Sequence, residues 1–118
     1  MDLQSFYEGM GQNYQVVLKR MMSKEDFLLA VLKKFLEDGT MAALEQAVAE
    51  QNAREIFIQA HTLKGVTENL GLKKLYDQVF VLVELSREGS AAGTKAAFAA
   101  VKDAYIEVTD QLKNQILK

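Results

Sequence analysis

With 118 residues, no cysteine and a formal net charge of −2 from 14 basic and 16 acidic side chains, the chain has room for a single domain over residues 1–118 with one hydrophobic core. These numbers exclude a disulfide framework, a thiolate nucleophile and a cysteine-held metal, and they give no positive field to concentrate nucleic acid. The opening Met1-Asp2-Leu3 has no secretion-signal pattern, and no apolar run nears the ~18 residues that span a bilayer, so a free-standing cytoplasmic chain with no membrane partner is expected.

Proline is absent, and most glycines fall where a break is wanted. Short helices are predicted over about Leu3–Gly9 and Asn13–Met22. A third is expected over Lys24–Glu37, with Ser23 as N-cap and Asp26 three residues on. Its Leu28, Val31, Leu32 and Phe35 keep the spacing of one helix face. A fourth begins after Thr40 and sets Met41, Leu44 and Val48 on one side. The fifth has Asn52 as cap, completes Asn-x-x-Glu at Glu55, and stops at Gly71. The sixth runs from Leu72 to about Arg87, with Leu72, Leu75, Val79, Leu82 and Val83 inward. Its stretch Val79–Leu85 is rich in β-formers, but no partner strand exists elsewhere, so a helix buried on more than one side is expected. The seventh, Thr94 to about Leu117, carries Phe98, Val101, Tyr105, Val108 and Leu112 at helical spacing. The fold class is therefore all-α. An antiparallel up-down four-helix bundle is expected over about 41–117, with capping helices over about 3–37 covering one end.

His61, the only histidine, lies in the middle of the fifth helix. Advancing about 100° per residue, Ile56, Leu63, Thr67 and Leu70 fall on the side opposite His61, and Arg54, Lys64, Gly65 and Glu68 fall beside it. His61 is thus expected on a solvent-facing stripe. An exposed imidazole is neutral for much of the time near pH 7, which leaves a ring nitrogen free to attack. Lys64, three residues on, puts an ammonium where it can offset phosphoryl charge and disfavour imidazolium. Gly65 leaves a gap for another protein's active site. A mid-helix glycine costs about 1 kcal/mol relative to alanine, so it needs a reason. Singly, each residue has a plain structural explanation; on one exposed stripe they point to a phospho-acceptor.

The run Ala60-His61-Thr62-Leu63-Lys64-Gly65, followed by Asn69-Leu70-Gly71-Leu72, resembles the signature of histidine-containing phosphotransfer (HPt) domains. Upstream, Tyr14…Leu18-Lys19-Arg20, Phe27…Leu32…Phe35-Leu36 and Leu44 are similar to that family's N-terminal helices. The resemblance implies that His61 accepts the phosphoryl group, Lys64 stabilises its charge, Gly65 gives steric clearance and the bundle docks receiver domains. Two positions depart from the pattern: Val66 stands where the family often has Ser or Ala, and Val83 where many members carry Glu or Gln, with Glu84 beside it.

The function expected is that of a phosphorelay carrier, exchanging a phosphoryl group between His61 and receiver aspartates. Such a chain is not an enzyme by itself. It needs no cofactor or metal of its own, since the carboxylate cluster, Mg²⁺ and lysine belong to the receiver. Response-regulator receivers and a hybrid or separate histidine kinase are the expected partners of a monomer. One alternative is an acceptor fed directly by a separate histidine kinase; another is a helical protein-binding module in which His61 is inert. A sensor-kinase dimerisation domain fits poorly, because Thr62 follows His61 where Glu is wanted and no proline follows.

Overall fold

The computed structural model describes residues 1–117; Lys118, the last residue of the expected domain, lies outside them. Among the described residues all regular structure is helical: α1 (Leu3–Gly9), α2 (Tyr14–Arg20), α3 (Glu25–Leu36), α4 (Thr40–Ala49), α5 (Ala53–Asn69), α6 (Lys73–Ser86) and α7 (Thr94–Gln111). The all-α expectation holds. The seventh helix departs from it at its end, where Leu112–Ile116 form a π-helical turn. Leu112 stays in the core through that turn, and Ile116 and Leu117 pack against its edge.

Helix α4 packs on α5, α5 on α6, α6 on α7, and α7 back on α4. Short connections return each helix alongside its predecessor, a ring compatible with the up-down course. Leu44, Ile56, Leu75, Val79, Leu82, Val83 and Val101 are fully buried within it, and full burial of such a side chain stabilises by about 1.5–3 kcal/mol. Exposed ion pairs Lys74–Glu107 (2.6 Å) and Lys102–Glu45 (2.7 Å) join α6 and α4 to α7, a contribution of ~0–1 kcal/mol each.

Two local expectations are corrected. Ser23 does not cap α3: Met22 and Ser23 both turn through the left-handed region, at φ 57° and 58°, and Lys24 takes the cap position without a side-chain bond. The charges of Glu25 and Asp26 in the first turn complement the helix dipole instead. Nor is Val79–Leu85 buried on more than one side. Val79, Leu82 and Val83 enter the core, while Phe80, Val81 and Leu85 are exposed, because the ring of helices covers only one face of α6.

The ends of α5 are set by its sequence. Asn52 Oδ1 accepts from the Glu55 amide at 3.1 Å, satisfying one of the orphan donors of the first turn. At the other end the Leu72 amide donates to Thr67 C=O (2.9 Å) and the Gly71 amide to Glu68 C=O (3.1 Å). This is a Schellman ending, with Gly71 at φ +68°. The N-terminal helices close on this same end. Tyr7 OH donates to Leu70 C=O at 2.8 Å and Arg20 Nη1 to Glu68 C=O at 2.7 Å. Helix α3 reaches α7 through Phe35, edge-on to Tyr105 at 6.0 Å between ring centroids.

Candidate functional site

The buried side of α5 is Ile56, Ala60, Leu63 and Thr67, so the helix presents its opposite side to solvent. His61 stands exposed there midway along the helix, with Gly65 exposed one turn on and Lys64 partly buried between α5 and α6. The three residues singled out from the sequence therefore share one strip. A Cβ built on Gly65 would meet nothing within 4 Å, so neither helix packing nor backbone conformation demands glycine at this position.

One aromatic side chain lies beside His61 and a second beside Lys64. Phe57, one turn earlier on α5, has its ring centroid 5.6 Å from the imidazole at an interplanar angle of 30°. Phe80, exposed on α6, lies under the Lys64 ammonium, 5.3 Å from Nζ to the ring centroid. Arg87, just past the end of α6, places its guanidinium 5.6 Å from the Phe57 centroid. Arg87 also donates to both oxygens of Glu84, at 3.1 and 3.3 Å. That hydrogen bond holds the Glu84 carboxyl below the usual carboxylate range, and the charges of Arg87 and Lys64 act in the same direction.

Val83 is fully buried and contributes only to the core, and the carboxylate beside it, Glu84, is engaged by Arg87. Ile58, three residues before His61 on α5, and Phe80, against Lys64, are exposed apolar side chains on this side of the molecule, and exposed apolar surface suits contact with another protein. Thr62 and Thr67 turn their hydroxyls back to Ile58 C=O and Leu63 C=O, both at 2.9 Å, and so add no polar group to the strip. The sequence reading missed Phe57, Phe80 and Arg87. The signal was present in the spacing, since Phe57 lies four residues before His61, on the same face of the helix.

A helical bundle with a solvent-facing histidine at the middle of its second helix, Phe57 beside it and Lys64 one turn on, is a histidine-bearing helical module. The chain belongs to the Hpt-domain family, whose model matches residues 29–114. Domains of this family are phosphocarrier modules of phosphorelays rather than catalysts, and they work with receiver domains and kinases. Neither the curated proteins nor the solved structures compared with the chain contain a significant match. No helix among the described residues is long and apolar enough to cross a membrane.

Proposed function

We propose that His61 is the phospho-acceptor of a phosphorelay and exchanges its phosphoryl group with the aspartate of a receiver domain. The observation that carries this reading is the placement of the only histidine, exposed in mid-α5 next to a glycine whose side-chain space is empty. In the forward step a ring nitrogen of His61 forms a P–N bond as the P–O bond to the receiver's aspartyl carboxylate breaks. The carboxylate leaves with the electrons of that bond, and the proton on the other ring nitrogen is free to pass to solvent. The return step reverses this. The receiver would supply the Mg²⁺ and carboxylate cluster; this chain supplies nucleophile, charge and shape. Lys64 serves as the charge partner of the phosphoryl group and Gly65 as the clearance that lets the receiver approach. The chain acts as a cytoplasmic monomer in this scheme, served by a hybrid or separate histidine kinase.

The test is incubation with a phosphorylated receiver domain, followed by assay for acid-labile, base-stable label. Wild-type protein should become labelled, and His61→Gln should lose all label with stability changed by less than about 0.5 kcal/mol, as for other exposed sites. Label retained by His61→Gln refutes the assignment; an unlabelled wild type across a panel of receivers favours a binding module in which His61 is inert.

A further inference from the structure

We infer that Phe57 is a positioning residue for the His61 imidazole, held in place by Arg87, which Glu84 in turn anchors. The inference rests on His61 being the reacting group. A histidine on an exposed helix face is free to change rotamer, and a reacting nitrogen gains from being held in one orientation. At Val83, where many members of the family carry Glu or Gln, this chain has a buried apolar side chain that can neither donate nor accept a hydrogen bond. The imidazole lies instead against Phe57, at 5.6 Å and a shallow 30° tilt, within the range of favourable aromatic pairs. Packing of one ring against the other restrains the imidazole without occupying either nitrogen. Both stay available, one to attack and the other to lose its proton.

Phe57 is restrained from the other helix. The Arg87 guanidinium sits 5.6 Å from its ring centroid, inside the distance at which a cation is drawn to an aromatic face. Two hydrogen bonds to Glu84 fix that guanidinium. A reciprocal contact occurs on the far side of His61, where Lys64 of α5 lies over Phe80 of α6. Helix α5 thus gives Phe57 and Lys64, four residues before and three after the histidine, and α6 with its C-cap gives Phe80 and Arg87. The contacts run from α6 to the reacting ring through side chains alone, so α6 can control the imidazole without touching it.

The experiment uses the full chain. His61 ring-proton resonances are recorded in the free protein, where a single histidine makes assignment direct. Transfer from a phosphorylated receiver is resolved into a maximal rate and a half-saturating receiver concentration. Phe57→Leu should move the imidazole resonances and lower the maximal rate on the order of tenfold, with half-saturation little changed. Phe57→Tyr should restore both, and Arg87→Gln should shift both in the same direction by less. Wild-type resonances in Phe57→Leu overturn the proposal, and so does a change confined to half-saturation, which makes Phe57 a docking contact only. If Phe57→Leu does not fold, Arg87→Gln decides, since it keeps the Phe57 ring but removes the cation that restrains it: unmoved resonances overturn the proposal. The resonance measurement needs no phosphoryl transfer, so failure of His61 as acceptor, shown by label on His61→Gln, is distinguishable from failure of the ring contact.

Discussion

Gly65 and Gly71 stand in and just past the same helix, and they are glycine for opposite reasons. Gly71 has φ +68°, and a Cβ there would collide with Val17 Cγ2 and crowd Gln12 at 3.2 Å. Gly65 is in ordinary helical backbone, and a Cβ there would touch nothing within 4 Å. The fold requires the first; within the chain nothing requires the second, and its helical cost has to be offset elsewhere. The same division runs through their surroundings. The end of α5 is fastened by Tyr7, Val17 and Arg20, whereas the stretch around His61 is open on its outer side.

The comparison can be broken most easily at Gly71. Gly71→Ala should destabilise by about 3 kcal/mol, from the left-handed backbone and the overpacking together, and lower Tm by ~10 °C at this size; a thermal melt unchanged from wild type would remove the distinction. Next in size is Tyr7→Phe, which leaves the buried Leu70 carbonyl without its partner and should cost about 1–2 kcal/mol by denaturant unfolding. Burial, with a smaller contribution from nearby Tyr14, raises the Tyr7 hydroxyl above its ordinary 10.0. The unfolded chain therefore loses this proton first. Stability from Tyr7 is fully present below pH 10 and falls as pH rises beyond it. Tyr7→Phe should flatten that alkaline decline without abolishing it, since burial also raises Tyr14, to about 12, reinforced by its bond to Glu25.

On the open side the effects are on transfer rather than stability. Lys64→Ala should shorten the lifetime or lower the occupancy of phosphorylated His61 by on the order of 1 kcal/mol, a severalfold change for a partly exposed charge. That effect should shrink as salt approaches 1 M, where screening acts over ~3 Å. Equal lifetimes at low salt would make Lys64 a partner of Phe80 alone. The smallest stability effect is expected from Gly65→Gln, and it has the opposite sign to Gly71→Ala. Helix propensity predicts a gain of about 0.3–0.7 kcal/mol, combined with slower transfer in both directions. A loss of stability would mean that Gly65 serves packing after all.

The buried and exposed sides of α5 were legible because an amphipathic helix writes them into its spacing: Ile56, Leu63, Thr67 and Leu70 are all buried and His61 is exposed. Asn52 and Gly71 were legible because capping chemistry is local. Ser23 misled for the same reason. A good capping residue was assigned a cap, while the chain needed two left-handed residues to turn α2 into α3, and that need arises from where the helices lie. The Val79–Leu85 stretch misled through its composition, which does not say how many sides a helix will have covered. For the site, His61, Lys64 and Gly65 were visible as one stripe. Arg87 over Phe57 joins side chains of two helices, and no single-helix projection contains it.

The bond from Tyr7 to Leu70 closes a span of 63 residues. Closure entropy grows only with the logarithm of loop length, so a span threefold longer than that of adjacent helices costs about 1 kcal/mol more. Its consequence is one of order rather than of stability. During synthesis α1 and α2 leave the ribosome first, yet the carbonyl, the glycine and the last turn they grip do not exist until α5 has been made. The beginning of this chain must wait for its middle, and the helix carrying the histidine is the template on which the N-terminus finally settles.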